Sequence, residues 1–401
     1  MLFTRGRITR QAHVDIPEGT VEEEYARGGF FGRYAHIYRT APLVNWSRIE
    51  GDLRPLAFTL ERLPGLGGDY TSSRTPFLRN ADCVLRFATL LEAMPYYFRN
   101  GDGDEVLFVH RGRGVLETDF GPLAYRVGDY LVIPRGTMYR ISPEQETRLL
   151  IIETAGEVRL PEKGILGQHA LFDPAVINVP TPECPAAELG ASLLAPRNGE
   201  WEVRVQRQSR LTSIFYPFDP MNVVGWKGDL TVWQLNVADI RPILSERYHL
   251  PPTAHATFVA DRVVIVSFLP RGLETGDPNA LRVPFYHANI DYDEVLFYHA
   301  GEFFSRAGVG PGMVTFHPQG LHHGPQPQAV AASKTKERTE EQAVMIDTQS
   351  PLEVCPEAYA AEVDDYWRSW MGGMRSRSSA NAPEAPDAAV RYSQPEHEEV
   401  R

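Results

Sequence analysis

The sequence has few of the features that mark secreted, membrane-bound or nucleic-acid-binding proteins. Among 401 residues there are three cysteines, Cys83, Cys184 and Cys355, none in a Cys-x-x-Cys spacing, which argues against disulfides and thiolate metal sites. No apolar run reaches the roughly 18 residues of a membrane span, and no apolar signal segment follows Met1. The formal net charge of -12, without a basic cluster, argues against nucleic acid or an anionic membrane as partner. We therefore expect a soluble, cytoplasmic protein.

Long helical periodicity is also scarce, and short apolar runs between turns take its place. The 32 prolines and 33 glycines are spread along the chain, and runs such as 104–110 and 262–268 have the length of strands. This pattern predicts an all-β fold, with short helices at 87–94 and 356–371. Residues 372–401 contain few apolar side chains, which predicts a disordered tail.

One β-unit occurs twice in the chain. Residues 100–112 read NGDGDEVLFVHRG, and residues 289–301 read NIDYDEVLFYHAG. Each copy is followed by a Gly-x5-Pro-x-Gly pattern, at 128–136 and at 312–320. Such internal similarity predicts two structural units of the same kind.

The second copy carries a set of candidate metal ligands that the first copy lacks. His287 lies seven residues before Glu294, and His323 lies three residues after the second Pro-x-Gly, whereas the first copy has Phe98 and Tyr139 at the two histidine positions. Two imidazoles and one carboxylate leave about three coordination positions open on an octahedral ion, as in non-haem Fe(II) oxygenases. The second copy is therefore predicted to bind Fe(II), and the first is predicted to bind no metal.

The carboxylate ligand can be drawn from two adjacent acids. Asp293 precedes Glu294, and either could complete the set. Glu294 is preferred because Glu105 begins the same Glu-Val-Leu-Phe run in the first copy. His317, six residues before His323, fits a hydrogen-bonding role near the metal and the substrate.

The motif pair resembles that of the cupin superfamily, which has the form H-x-H-x4-E-x6-G and G-x5-P-x-G-x2-H. Asn289 replaces the second histidine of that pattern, and in this the chain resembles the homogentisate 1,2-dioxygenase family, as does the segment Leu321-His-His-Gly-Pro. The resemblance implies a bicupin of two double-stranded β-helix (jelly-roll) barrels. A degenerate barrel with its lead-in segment is expected in 1–200, and the metal-binding barrel in 201–371.

The resemblance also implies an activity and roles for further residues. The family converts homogentisate and O2 to maleylacetoacetate in tyrosine and phenylalanine catabolism, uses Fe(II), and forms homo-oligomers. His249 matches the family's acid/base histidine, and Phe303 stands where the family has a substrate-binding tyrosine. His323 and His317 are expected to contact the substrate as well. The partners implied are therefore a small aromatic acid and O2.

Two other functions are compatible with the same residues. A dioxygenase that cleaves gentisate or another hydroxylated aromatic acid would share the iron site and differ in its pocket. A bicupin that binds a metal without oxygenase activity would share the fold.

Overall fold

The structure is a computed structural model that describes residues 3–182, 185–304, 306, 308–326, 329–330 and 335–371. The predicted tail, 372–401, lies outside the described residues. Cys83 and Cys355 are free and buried. Within the described ranges, no helix combines the length and the apolar character that crossing a membrane requires.

The described chain is built mainly from 24 short strands. In chain order they are β1 (Val21–Ala26), β2 (Tyr34–Arg39), β3 (Leu56–Thr59), β4 (Thr75–Arg79), β5 (Cys83–Leu90), β6 (Tyr97–Asn100), β7 (Asp104–Arg111), β8 (Gly114–Thr118), β9 (Gly121–Tyr125), β10 (Asp129–Ile133), β11 (Met138–Pro143), β12 (Thr147–Thr154), β13 (Trp201–Arg207), β14 (Arg210–Tyr216), β15 (Trp233–Asn236), β16 (Ala256–Ala260), β17 (Val263–Phe268), β18 (Arg271–Gly272), β19 (Tyr286–Asn289), β20 (Asp293–Ala300), β21 (Met313–His317), β22 (Arg338–Thr339), β23 (Gln342–Thr348) and β24 (Glu353–Val354).

Helices are few and short, as predicted. The described α-helical residues are those of α1 (Tyr70–Ser73), whose amino end is capped by the side chain of Asp69, and residues 329–330. The 3-10 helices are Leu60–Arg62, Gly164–Leu166, Pro174–Val176, Ala186–Leu189, Val237–Asp239, Pro252–His255, Pro356–Ala361 and Tyr366–Trp370. The prediction of an all-β protein with two barrels and few short helices is confirmed.

Neither of the two helices predicted from the sequence, at 87–94 and 356–371, forms as one continuous helix. Residues 87–90 belong to β5, which is buried on both faces and therefore lacks the alternation that identifies a strand. Residues 356–371 form two 3-10 helices, Pro356–Ala361 and Tyr366–Trp370. Between them the amide of Val363 donates to the carbonyl of Ala57 at 2.8 Å, so the backbone bonds to β3 instead of continuing a helix.

The first barrel consists of two sheets packed face to face. One has the order β15-β10-β7-β12-β5-β4-β24 and the other β14-β13-β6-β11-β8-β9. Leu107, Leu131 and Leu149 from the first sheet pack with Phe98 and Tyr139 from the second in one buried cluster. Packed side chains therefore fill the interior of this barrel.

The second barrel combines strands from both ends of the chain. Its main sheet has the order β16-β17-β23-β20-β21-β3. Two smaller sheets, of order β19-β1-β2 and β18-β22, contain the remaining strands. β1 pairs in parallel with β19, so that Glu24 lies opposite His287. The amino-terminal segment thus supports a strand that carries a candidate ligand.

The predicted domain boundaries stay a prediction, but the pairing shows which strands share a sheet. β13 pairs with β6 and β15 with β10, so residues after 200 extend the sheets of the first barrel. The two repeat strands, β7 and β20, meet at the contact between the barrels. There His110 and His299 bring their Nδ1 atoms to 2.9 Å, and the Phe108 and Phe297 rings lie 6.2 Å apart.

Candidate metal centre

Three elements of the second barrel bring the candidate ligands together. His287 lies on β19, Glu294 lies on β20, and His323 follows β21 in a segment that bridges back to His287. Each histidine Nε2 lies 3.7 Å from Oε2 of Glu294. One donor atom from each of the three residues lies within 4.8 Å of the other two. The structure therefore places the predicted set around one point.

The backbone determines which nitrogen of each histidine faces that point. Nδ1 of His287 donates to the carbonyl of Phe285 at 3.0 Å, and Nδ1 of His323 donates to the carbonyl of Leu321 at 3.3 Å. With the proton on Nδ1, each Nε2 carries a lone pair. Neither Nε2 has a hydrogen-bond partner among the described residues, although both are buried. Buried acceptors without partners are rare, and a metal ion satisfies both, so the donor set fits a metal.

Burial keeps the side chain of His323 neutral. The side chain of His323 is 1% exposed, and burial lowers its pKa to about 3. A neutral imidazole is the form that binds a metal. His323 is therefore ready to coordinate without first losing a proton at neutral pH.

Glu294 is held in place by two cationic or hydrogen-bonding neighbours on its other oxygen. Nδ1 of His317 donates to Oε1 at 2.8 Å, and the Arg306 guanidinium lies 3.8 Å from the same atom. Burial alone would raise the pKa of this carboxyl group, but the histidines around it, His323 first, hold the pKa well below its ordinary value. Glu294 therefore presents a charged Oε2 to the histidines.

Asp293, the alternative ligand, faces away from this point. Its Oδ1 accepts from the amide of Gln319 at 2.7 Å and its Oδ2 from the amide of Leu352 at 2.6 Å. The equivalent residue of the first barrel, Asp104, likewise accepts two backbone amides at 2.8 Å. Successive side chains of a strand point to opposite faces, so the acid before each glutamate ties loops to the sheet, and Glu294 is the one beside the histidines.

In the first barrel the equivalent glutamate is bonded to protein groups. Glu105 accepts from the hydroxyl of Tyr139 at 2.5 Å, from Tyr70 at 2.9 Å and from Arg74 at 3.1 Å. The ring of Phe98 packs on Tyr139 with centroids 5.4 Å apart. The two aromatic residues that replace the histidines thus pack around a carboxylate that already has its partners.

A cavity of about 760 Å3, counting its open mouth, adjoins the candidate metal centre. Its wall is mostly apolar, and its polar lining comprises His249, His255, Arg271, His287, Glu294, Arg306, Thr339 and Glu341. An apolar wall with a few polar groups is typical of a site for a small organic ligand. His249 lies in this wall, with its ring 4.2 Å from that of Phe285, which in turn lies 5.0 Å from His287.

His249 is oriented by a carboxylate that sequence reasoning did not identify. Its Nδ1 lies 3.1 Å from Oε1 of Glu274, and its buried Nε2 has no hydrogen-bond partner among the described residues. Burial lowers the pKa of His249, while Glu274 opposes that shift. No spacing motif links residues 249 and 274, so only the fold reveals the pair.

Phe303 is not among the residues that line the cavity. It packs on Tyr298, with ring centroids 4.9 Å apart, and its neighbour Phe304 contributes to the cavity wall instead. Arg271 and Arg306, which the sequence analysis did not single out, also line the cavity. His317 lies behind Glu294, where its ring stacks on His323 at 5.6 Å.

Comparison with known proteins identifies relatives of most of the chain. Residues 71–237 match the family model described as homogentisate 1,2-dioxygenase N-terminal, and residues 249–377 match the one described as homogentisate 1,2-dioxygenase C-terminal. A protein of Saccharolobus solfataricus named "Putative dioxygenase" is 32% identical over 390 residues, which cover 91% of this chain and 98% of the relative.

Solved structures similar to parts of the chain are cupin proteins. A cupin 2 conserved barrel domain protein from Leptotrichia buccalis is 10% identical, with a TM-score of 0.29, and covers 69% of this chain and 88% of its own. A cupin-2 domain containing protein from Shewanella frigidimarina is 21% identical, with a TM-score of 0.19, and covers 20% and 79%. The two barrels of this chain follow from its own sheet topology.

Proposed function

This chain belongs to the homogentisate 1,2-dioxygenase family, and from that membership we propose that it is an Fe(II)-dependent enzyme that opens the ring of homogentisate with O2 to give maleylacetoacetate. The observation that carries the proposal is the pair of buried Nε2 atoms, on His287 and His323, that face Glu294 beside a mostly apolar cavity. His287, Glu294 and His323 would hold the metal. Bound iron would supply open positions at which an aromatic acid and O2 can meet.

Arg306 and His317 keep the carboxylate ligand in position. Both approach Oε1 of Glu294, which leaves Oε2 directed at the two histidines. Such outer contacts fix the orientation of a ligand and commonly matter for metal affinity. Their part in the reaction is therefore to position Glu294.

His249 is suited to accept the proton of the substrate hydroxyl. Nδ1 donates to Glu274, so that the lone pair of Nε2 is free to receive a proton, and the nearby carboxylate stabilises the imidazolium that forms. His255 lines the same cavity, but burial lowers its pKa to about 3, and no carboxylate contact orients its ring among the described residues. Of the two cavity histidines, His249 is therefore the better base.

Arg271 supports an acid as the substrate. Its guanidinium lines the cavity, where the nearby carboxylates of Glu274 and Glu341 favour its charged form. Phe268, Leu296 and Met345 contribute apolar surface to the same cavity. A cation in such a setting favours a carboxylate ligand, and the apolar wall excludes water from the ring.

Oxygen consumption by the loaded enzyme tests the proposal. The chain is loaded anaerobically with Fe(II) and mixed with homogentisate, gentisate and salicylate in separate assays, with an oxygen electrode and product identification by mass. Homogentisate should be consumed with one O2 per ring and yield maleylacetoacetate. Activity with gentisate alone would overturn the substrate, and no oxygen uptake with any acid would favour a bicupin without oxygenase activity.

The His323→Ala variant is the matched control for this assay. It removes one candidate ligand while leaving the strands of the barrel unchanged. It should bind little iron and consume no oxygen, with an unchanged far-ultraviolet circular dichroism spectrum. Full activity in this variant would overturn the site assignment.

A further inference from the structure

A second group of potential metal ligands lies in the amino-terminal part of the chain. Glu22 and Glu24 lie on β1, His36 lies on the adjacent β2, and His13 belongs to the loop before them. Glu24 pairs with His36 in the strand register, and Glu22 and Glu24, two residues apart, share a face of the sheet. Four donor side chains thus converge on one side of the β1-β2 ribbon.

The distances within this group are short. Nδ1 of His13 lies 2.8 Å from Oε1 of Glu22, and its Nε2 lies 3.5 Å from Oε2 of Glu24. One donor atom each from His13, Glu22 and His36 lies within 4.8 Å of the other two. The exposed fractions of His13, Glu22 and Glu24 are 6%, 2% and 8%. The carboxylates are therefore largely removed from water and need a positive partner.

A protonated His13 is one such partner, but it leaves other atoms unsatisfied. The interactions of the His13 ring with the carboxylates of Glu22 and Glu24 outweigh burial and raise the pKa of His13 to about 9. That arrangement still leaves Nε2 of His36 buried and without a hydrogen-bond partner among the described residues, and it leaves Oε2 of Glu24 with only the 3.5 Å contact to His13. Oε2 of Glu22 already accepts from the hydroxyl of Tyr38 at 2.7 Å. A proton on one ring therefore does not account for the whole group.

We propose that His13, Glu22, Glu24 and His36 form a second metal site, which takes a divalent ion of the zinc class. Two imidazoles and two carboxylates suit Zn²⁺ or Co²⁺ better than Mg²⁺ or Ca²⁺, which prefer oxygen ligands alone. Two positive charges would neutralise the two carboxylates, and the ion would bind Nε2 of His36, which has no hydrogen-bond partner among the described residues. The site is separate from His287, Glu294 and His323, and it lies outside the repeat.

The position of the group implies a structural role for the proposed site. Glu24 lies opposite both His36 on β2 and His287 on β19, so the three residues form a row across one small sheet. An ion bound to His13 and to both strands would tie the loop before β1 to the sheet that carries His287. The proposed site would therefore stabilise the amino-terminal segment against the second barrel.

Metal counting on the full chain tests this proposal. The protein is stripped with a chelator, saturated with Zn²⁺, passed through a desalting column and measured by elemental analysis. The wild type should retain two ions per chain, His323→Ala one, His36→Gln one, and the double variant none. Because each variant removes a different ion, failure of the site at His323 can be told apart from failure of the site at His36.

Two further variants keep the outcome interpretable if His36→Gln folds poorly. Glu24→Gln should also lose one ion, whereas Glu23→Gln should keep both, since Glu23 lies on the same strand but faces His322 on the other side. Co²⁺ absorption provides a second measurement, because His323→Ala should retain a visible d–d band that disappears when His36→Gln is added. Equal metal content in wild type, His36→Gln and Glu24→Gln would overturn the proposal and leave a protonated His13 as the partner of the two carboxylates.

Discussion

Glu105 and Glu294 occupy the same position in the two repeats, and we predict that changing each to glutamine has opposite consequences. Glu105 is fully buried and accepts from Tyr70, Tyr139 and Arg74. In Glu105→Gln the two hydroxyls can still find an oxygen or nitrogen partner, but Arg74 loses its carboxylate. The expected result is a less stable protein whose metal content does not change.

The magnitude follows from the burial of the ion pair. Arg74 and Glu105 lie 3.1 Å apart, with side chains 6% and 1% exposed. Removing one partner of a buried pair leaves a charge without compensation, which costs roughly 3–5 kcal/mol. Glutamine keeps a polar group there, so we expect about 3 kcal/mol. In a domain of this size that corresponds to a fall of roughly 6–12 °C in the melting temperature.

Glu294→Gln should lower stability less and remove a metal ion. Arg306 lies 3.8 Å from Glu294, farther than Arg74 lies from Glu105. The carboxylate also faces two Nε2 atoms that have no hydrogen-bond partner in the described part of the chain, so the loss falls mainly on metal binding. The metal-free variant should therefore melt within a few degrees of the metal-free wild type and fail to retain iron at the site.

Calorimetry and elemental analysis on metal-free and Fe(II)-loaded samples of both variants check this pair of expectations. The metal-free samples isolate the protein contacts, because ions bound to the native state raise its stability. Two results would contradict the interpretation that protein side chains satisfy Glu105 in the first barrel. One is a loss of iron in Glu105→Gln, and the other is a melting temperature within about 1 °C of the wild type.

Three other substitutions test the second barrel. Asp293→Asn should lower stability, because it weakens two charge-assisted bonds to backbone amides, yet retain iron, as elemental analysis of the folded variant can show. His249→Ala should keep its iron and lose turnover by roughly two to four orders of magnitude, whereas His255→Ala should lose much less; equal losses in steady-state assays would contradict the choice of base. Arg271→Met should raise the KM for the acid more than it lowers kcat, and an unchanged KM would exclude Arg271 as the carboxylate partner.

The candidate ligands could be found from the sequence because each spacing reflects local geometry. Glu294 and His323 belong to a strand and to the hairpin return that follows it, so their separation along the chain is set by that one unit. Asp293 and Glu294 could not be ranked by spacing alone, since adjacent residues of a strand differ only in the face to which they point. The hydrogen bonds that Asp293 accepts from the amides of Gln319 and Leu352 show that its side chain points away from the histidines.

The parts that the sequence did not predict depend on contacts between distant segments. β1 pairs with β19, which lies more than 260 residues later in the chain, and no sequence pattern in either strand indicates which strand it pairs with. The pair of His249 and Glu274 and the group around His13 arise from such contacts. The run 87–94 was misread for a different reason, because a strand buried on both faces has no alternation to separate it from a helix.

The two copies show how one β-unit can be kept while its chemistry changes. The residue before each glutamate accepts two backbone amides in both barrels, which preserves the loops around the strand. The glutamate itself is a buried charge that must have partners. In the first barrel Arg74 and two tyrosines satisfy it, and strand β7 of that copy packs against β20 of the other barrel. In the second barrel His317 and Arg306 approach one oxygen of Glu294, and the other oxygen faces two Nε2 atoms that have no hydrogen-bond partner among the described residues, and a group that is incomplete without a ligand is what a binding site requires.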